Sequence, residues 1–236
     1  MQFDNEFVTG TLIKRYKRFL ADVSLDDGTV LTAHTPNTGS MKGCAEPGSR
    51  VWLRDTRDEK RKYRFSWEMV QTPQGVTVGI NTGLSNRLVE EAIANGTLSE
   101  LQGYGRIRRE VKYGNQNSRI DLLLEQHPEF ADCYVEVKNV TLVEHEIAYF
   151  PDAVSERGKK HLQELADVAQ SGGRGALVFC VQREDAREVR PADDIDPAYG
   201  QELRRAMALG VTVLAYQARV SAGEIRLYQS LPVCCP

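Results

Sequence analysis

Asp121, Glu136 and Lys138 are the residues in this chain whose types and spacing suit phosphodiester chemistry. The run Arg119-Ile120-Asp121-Leu122-Leu123-Leu124 sets one acid in an apolar strand pattern, and a short loop later Tyr134-Val135-Glu136-Val137-Lys138 makes a second. Side chains alternate along a strand, so Tyr134, Glu136 and Lys138 share one face while Val135 and Val137 share the other. If the two strands pair, Asp121 and Glu136 converge with Lys138 beside them. Two carboxylates and a phosphate oxygen form a hard oxygen cage suited to Mg²⁺ (or Mn²⁺), which keeps some of its water. The ion would acidify an attacking water and offset charge on the phosphate, and Lys138 would orient that water or stabilise the anion. The competing reading is a same-face ion pair between Glu136 and Lys138 on a half-exposed strand. An acid-x-Lys triplet also occurs at Asp58-Glu59-Lys60 and Glu110-Val111-Lys112, but neither follows an acid on an apolar strand. A charge at Asp121 is costly to bury without a partner such as Arg119, Lys138 or a metal.

The elements that must position these residues fall into two groups. Residues 7–13, 19–25, 29–33, 50–55, 63–71 and 76–80 are rich in β-branched and aromatic side chains, and turn residues such as Asp27-Gly28 and Pro73-Gln74-Gly75 separate them. Short strands with no helical period predict a small barrel, with the OB-fold as one candidate. Beyond residue 81 the texture changes. Ser85 or Asn86 is expected to cap a helix carrying Leu88, Val89, Ala92 and Ile93 on one face, stopped by Asn95-Gly96. Strands follow at 104–111, 119–124 and 134–137, a helix at 155–170, a strand at 176–182, a helix around 199–209, and strands at 211–216 and 224–228. That order predicts a mixed α/β domain covered by helices. The expected division is therefore an all-β barrel over 1–81 and an α/β domain over 82–236.

Composition bounds the functional classes. Hydrophobic residues make up 41% of the chain and charged residues 27%, and the net charge is -3, which excludes collagen-like and disordered classes. The charge is uneven: residues 1–80 hold 12 Lys plus Arg against 10 Asp plus Glu, and residues 81–236 hold 18 against 23. Within the barrel the cations are bunched as Lys14-Arg15-Tyr16-Lys17-Arg18-Phe19 and Lys60-Arg61-Lys62-Tyr63-Arg64-Phe65-Ser66-Trp67. Lys and Arg meet phosphates while aromatic rings stack on bases, so Lys14, Arg15, Lys17, Arg18, Arg61, Lys62 and Arg64 are candidate DNA contacts. Alternatively the rings point inward and the cations only into water. No phosphate loop, dinucleotide fingerprint, serine-hydrolase elbow or zinc-protease helix occurs. His34, His127, His145 and His161 lack metal-ligand spacing, and Glu144-His145-Glu146 reads as a charged loop. The start, Met1-Gln2-Phe3-Asp4-Asn5-Glu6, has no basic and apolar regions of a secretory signal, and no apolar run nears the roughly 20 residues of a membrane helix. Five cysteines without paired spacing suggest reduced thiols in a cytoplasm. Cys133 and Cys180 are expected in the core, and the tail pair Cys234-Cys235 as incidental.

The order helix, three strands, helix, strand, with Asp121, Glu136 and Lys138 in place, resembles the restriction-endonuclease-like PD-(D/E)xK nuclease fold. More specifically, Arg108-Arg109-Glu110-Val111-Lys112-Tyr113-Gly114, Asn117-Ser118-Arg119-Ile120-Asp121, Val135-Glu136-Val137-Lys138-Asn139-Val140-Thr141 and Phe150-Pro151-Asp152-Ala153-Val154 resemble the bacterial sugar fermentation stimulation protein A family. So do Gly10-Thr11-Leu12-Ile13-Lys14-Arg15-Tyr16 and Asn37-Thr38-Gly39-Ser40-Met41. The resemblance implies an N-terminal OB-fold, a C-terminal nuclease-like domain, sequence-nonspecific DNA binding and a regulatory role in maltose metabolism. It makes Asp121 and Glu136 metal ligands, Lys138 the catalytic lysine and Gln182 a polar helper. Glu90 or Glu91 could add a ligand. The nominal Pro before the first acid is Ile120 here. A non-catalytic DNA-binding protein keeping the nuclease fold is the alternative, and a sugar-processing enzyme finds little support in the residues.

Overall fold

A computed structural model describes residues 1–3, 7–114 and 118–236. Asn117 of the motif above, and Asp4 to Glu6 of the N-terminal segment, lie outside the described residues. The first strands are β1 (Val8–Tyr16), β2 (Leu20–Leu25), β3 (Val30–His34), β4 (Arg50–Asp55), β5 (Phe65–Gln71) and the short β6 (Thr77–Gly79). They pair in the order β3-β2-β1-β4-β5-β6, and β3 also meets β5 through His34 and Ser66, so the first five close into an OB-like barrel. Inward positions such as Leu12, Val23, Val51, Leu53 and Trp67 are buried. Gly28, at φ 86°, makes the β2–β3 turn predicted at Asp27-Gly28.

The second domain opens with a 3-10 turn (Thr82–Leu84) and α1 (Ser85–Ala94). Then come β7 (Arg106–Tyr113), β8 (Ser118–Glu125), β9 (Cys133–Val140), β10 (Leu142–Glu144), β11 (Ile147–Phe150), α2 (Glu156–Gln170), β12 (Arg174–Val181), β13 (Glu188–Pro191), α3 (Pro197–Ala208), β14 (Thr212–Val220) and β15 (Ile225–Leu231). The six-stranded sheet runs β15-β14-β12-β9-β8-β7. Strands β7, β8 and β9 are antiparallel neighbours, whereas β9, β12 and β14 are parallel, as helical crossovers require. Helix α1 covers one face through Leu88, Val89, Ala92 and Ile93. Helices α2 and α3 cover the other through Leu162, Leu165, Tyr199 and Leu203.

Three details depart from the sequence expectation. Ser85 and Asn86 do not cap α1: Asn81 accepts from the Gly83 amide at the preceding 3-10 turn, and α1 begins after Leu84 with no side-chain cap. The charged loop expected at Glu144-His145-Glu146 joins strand to strand, not strand to helix. It tightens the β10–β11 hairpin, with His145 and Glu146 both at positive φ and Glu144 paired to Ile147. Strands β10, β11 and β13 form a small separate sheet, too short to declare a period in the sequence.

The domains are joined by more than the chain. Met69 of β5 belongs to the α1-side core, with Phe7 and Trp52 packed against it. Asp152 accepts from Ser40 Oγ at 3.0 Å and the Met41 amide at 3.2 Å, and a Cβ at Gly39 would stand 2.8 Å from an Asp152 oxygen. The strings 37–41 and 150–154 thus meet as a latch between the domains. The N-terminus crosses over as well: Gln2 bridges Glu224 and the Ile225 amide donates to the Met1 carbonyl.

Candidate functional site

The site forms where β8 and β9 part. Their ladder ends at Leu122 opposite Val135. At the next position the Asp121 side chain replaces it, Oδ2 accepting from the Val137 amide at 2.7 Å. The other oxygen accepts from Asn86 Nδ2 of α1 at 2.8 Å. Beside Asp121 on β7, Glu110 takes a left-handed φ of 53°, so the edge strand is also distorted here. On β9, Glu136 and Lys138 share a face as alternation predicts, and that face meets α2 at His161. Glu136 Oε1 receives Lys138 Nζ at 2.7 Å and pairs with His161 Nδ1 of α2. Glu136 Oε2 is buried and has no partner. Arg157, one helical turn before His161, donates Nε to His161 Nε2 at 3.3 Å. That assigns Nε2 as acceptor and directs the Nδ1 proton at Glu136.

The electrostatics set the two acids apart. Burial, reinforced by the charge of Glu136, pushes the Asp121 carboxyl up to about 6 against the bonds from Val137 and Asn86. Burial acts upward on Glu136 too, but His161 and Lys138 outweigh it and hold this carboxyl below its usual range. The outcome is one ionised acid with a bare buried oxygen and a second acid whose burial outweighs the bonds from Val137 and Asn86 and the attraction of Lys138.

These features fit a hard divalent cation. Glu136 Oε2 is an orphaned buried acceptor, Asp121 is the acid that positive charge would relieve, and both offer oxygen donors. Among the described residues no cluster of three or more His, Cys, Asp or Glu is arranged to hold an ion. Asp121 and Glu136 are the two carboxylates that β8 and β9 present here.

Other expected participants are placed elsewhere. Glu90 pairs with Arg109 at 2.5 Å and Glu91 with the N-terminal amine at 2.8 Å, so neither is directed to Asp121; the α1 residue that reaches it is Asn86. Gln182 is fully buried and donates to Asn139 Oδ1 at 2.5 Å, Ser85 Oγ at 3.2 Å and the Asn81 carbonyl at 3.3 Å. Those partners join β12 to β9 and to the domain junction, and none is Asp121, Glu136 or Lys138. Sequence reasoning missed His161, Arg157 and Asn86. The available signal was a histidine beside Leu162 and Leu165 in the α2 stripe, four residues after an arginine.

The barrel cations divide. Lys17 and Arg18 are exposed at the β1–β2 turn, and Arg18 Nε also donates to the Thr38 carbonyl at 2.9 Å. Lys14 lies 3.6 Å from Asp22. Arg15 is turned inward on the carbonyls of Arg18, Asn37, Gly39 and Ser40, a bracing role that occupies its guanidinium. In the β4–β5 loop Arg61 pairs with Asp58 at 3.5 Å, Arg64 is bidentate on Asp55, and Lys62 is exposed above Tyr63. All five cysteines are free, with Cys44, Cys133 and Cys180 buried. At the tail, Cys234 Sγ is 3.2 Å from Glu188 and Cys235 packs on the α2–α3 core. Among the described residues no helix is long and apolar enough to cross a membrane.

Comparison with known proteins follows this division. The SfsA N-terminal OB domain matches residues 13–80, and the sugar fermentation stimulation protein RE domain matches residues 83–224. The chain is 58% identical to a sugar fermentation stimulation protein homolog of Geobacter metallireducens over 233 residues, 99% of each chain. It is also 58% identical to one from Thioalkalivibrio sulfidiphilus over 234 residues, 99% of this chain and 98% of that one. The structure of Pyrococcus furiosus SfsA in complex with Ca²⁺ superposes with a TM-score of 0.88 at 27% identity, covering 99% of this chain and 98% of the other. With both domains matched in order and relatives aligned from end to end, the chain belongs to the sugar fermentation stimulation protein family.

Proposed function

We propose that this protein binds DNA without sequence specificity and hydrolyses its phosphodiester backbone with a divalent metal, Mg²⁺ or Mn²⁺, held by Asp121 and Glu136. The observation that carries this reading is the unequal use of the Glu136 oxygens: His161 and Lys138 hold one, while the other is buried and bare beside an acid with a raised pKa. A structural ion pair needs neither the second acid nor the bare oxygen. A bound metal would acidify water and offset charge on the phosphate. Lys138 places its ammonium at Glu136, where it stabilises negative charge on the reacting phosphate. Asn86 and the Val137 amide fix the Asp121 carboxylate, and His161 fixes that of Glu136. The Ca²⁺ complex of the Pyrococcus furiosus relative supports a hard divalent ion. The OB-like barrel and its cationic loops support DNA as the polymer, and five free cysteines support a reducing cytoplasm.

Purified protein incubated with plasmid and with single-stranded DNA in Mg²⁺ or Mn²⁺ is expected to cleave. Asp121→Ala and Lys138→Ala should each lower the rate by about 10²-fold or more. No cleavage under any condition, or equal cleavage by the variants, would overturn the nuclease reading. Binding without cleavage would favour a regulatory DNA-binding protein on the same fold.

A further inference from the structure

A cavity of about 210 Å³ opens at the domain junction, and none of the residues assigned to the phosphodiester chemistry lines it. Barrel residues 37–39 form one side; Thr82, residues 139–141 at the end of β9, and Tyr149, Phe150 and Asp152 form the other. The latch bounds it. A Cβ at Gly39 would meet the two Asp152 oxygens at 2.8 and 3.1 Å and Asn37 Oδ1 at 3.0 Å, so the missing side chain lets these polar groups converge. Strand alternation turns Tyr149 away from the α2–α3 core that Ala148 and Phe150 join. At roughly 30 Å³ for each water, the cavity of about 210 Å³ holds the equivalent of about seven. Sites for drug-sized ligands measure roughly 300–1,000 Å³, so the occupant here is one small ring with its substituents.

The charge of the wall excludes an anion. Among the described residues that line the cavity none is Lys or Arg, and Asp152 is an acid, so a phosphate would be repelled. The hydrogen-bonding groups are neutral donors beside one charged acceptor. Asn37 commits its side-chain carbonyl to the Gly39 amide at 2.8 Å. Asn139 commits its own to Ser85 at 3.0 Å and Gln182 at 2.5 Å, which leaves the NH₂ group of each to donate. Asp152 Oδ2 holds the latch, and Oδ1 is left to accept. Thr38 and Thr141 add hydroxyls that serve in either role. A hydroxyl both donates and accepts, so a ring bearing several of them matches this mixture, and its C–H face suits an aromatic wall. We propose that the cavity binds one neutral monosaccharide, a hexose in its ring form, with Asp152 Oδ1 and the Asn37 and Asn139 amides on its hydroxyls and Tyr149 against its C–H face. Neither DNA binding nor cleavage enters this assignment.

The test is saturation-transfer difference NMR on the full-length protein in buffer free of metal and DNA, with D-glucose, D-galactose and D-mannose titrated separately. At least one is expected to bind with a Kd of about 1–5 mM, which a few ordinary neutral hydrogen bonds support. The 6-phosphate of that hexose should bind about fivefold more weakly or worse, since its charge meets Asp152 and no cation. Tyr149→Ala and Asn37→Asp should each weaken hexose binding by about fivefold or more, and Tyr149→Phe, which keeps the ring, should stay within about twofold of wild type. Asn37→Asp retains the bond from the Gly39 amide and exchanges only the donor for an acceptor, and the Tyr149 pair separates loss of the ring from loss of the fold. No saturation transfer to any of the three sugars at about 50 mM, tenfold above the expected range, would overturn the proposal. So would tighter binding of the 6-phosphate, or wild-type affinity in both Tyr149→Ala and Asn37→Asp. Binding of adenosine but of no free hexose would overturn it as well and make the cavity a nucleoside site.

Discussion

At the scale of single residues the account turns on Asp121 and Glu136. The Asp121 carboxyl lies at about 6 in the folded protein, above the roughly 3.9 of an unfolded chain. Its contribution therefore favours the fold fully below about pH 4 and is lost as the pH rises through 6. Asp121→Asn can keep the Val137 bond through its carbonyl, and Asn86 can meet the new amide by turning its own. At pH 8 without divalent metal this variant is expected to melt about 2–8 °C above wild type, from roughly 1–3 kcal/mol of relieved charge burial, with the gain vanishing near pH 4. Mg²⁺ should raise the melting temperature of wild type but not of the variant; a variant that melts below wild type at pH 8 would contradict this. His161→Phe removes the proton aimed at Glu136, and calorimetric titration should show metal affinity down about 10- to 100-fold. Unchanged affinity would reduce His161 to packing. Strand alternation put Glu136 and Lys138 on one face in the sequence, and Asp121 stood out as the acid of an apolar strand run. Asn86 and His161 were not, because they arrive from helices remote in sequence whose rotation about their axes is set only by packing.

At the scale of elements, the site depends on a ladder that stops one pair early. Leu122 meets Val135, and the Asp121 carboxylate then takes the Val137 amide that strand pairing would have used. Strand patterns located β8 and β9 in the sequence, but the point at which they separate is a tertiary property. The three- and four-residue strands of the small sheet stayed hidden for want of a period. Ser85 and Asn86 looked like caps because their chemistry suits that role, and the fold uses the same hydrogen-bonding capacity on Asn139 and Asp121. Gln182 joins β12 to β9 and to the domain junction, with Gly79 so close that a Cβ there would lie 2.5 Å from its side-chain oxygen. Gln182→Ala leaves a cavity and removes three hydrogen bonds, although Asn139 Oδ1 keeps the Ser85 hydroxyl and the Asn81 carbonyl keeps the Leu84 amide, so urea unfolding should show about 2–4 kcal/mol lost. Well below its unfolding transition, the variant should cleave within about threefold of wild type. A 10²-fold loss of cleavage in folded protein would instead place Gln182 in the chemistry.

At the scale of the whole molecule, a net charge of -3 conceals a cationic pair of loops joined to an acidic domain whose carboxylates include Asp121 and Glu136. Local distribution, not the sum, governs attraction to a polyanion. Replacing Lys60, Arg61, Lys62 and Arg64 by glutamine should flatten the logarithmic salt dependence of DNA binding by about 0.7–0.9 for each phosphate no longer neutralised; an unchanged slope would mean that this loop faces away from DNA. The latch of Asp152 on Ser40 and Met41 and the shared core around Met69 bind barrel and site into one body, so on the proposed reading DNA bound by the first would lie in fixed relation to the second. Hydrolysis at that site requires oxygen from water to enter the product. Cleavage of a defined oligonucleotide in ¹⁸O-water with Mg²⁺, read by mass spectrometry of the new phosphate end, is predicted to show one solvent oxygen incorporated by wild type and no product from Asp121→Ala. Intact DNA with wild type, cleavage without solvent oxygen, or equal product from Asp121→Ala would contradict a metal-dependent phosphodiester hydrolase.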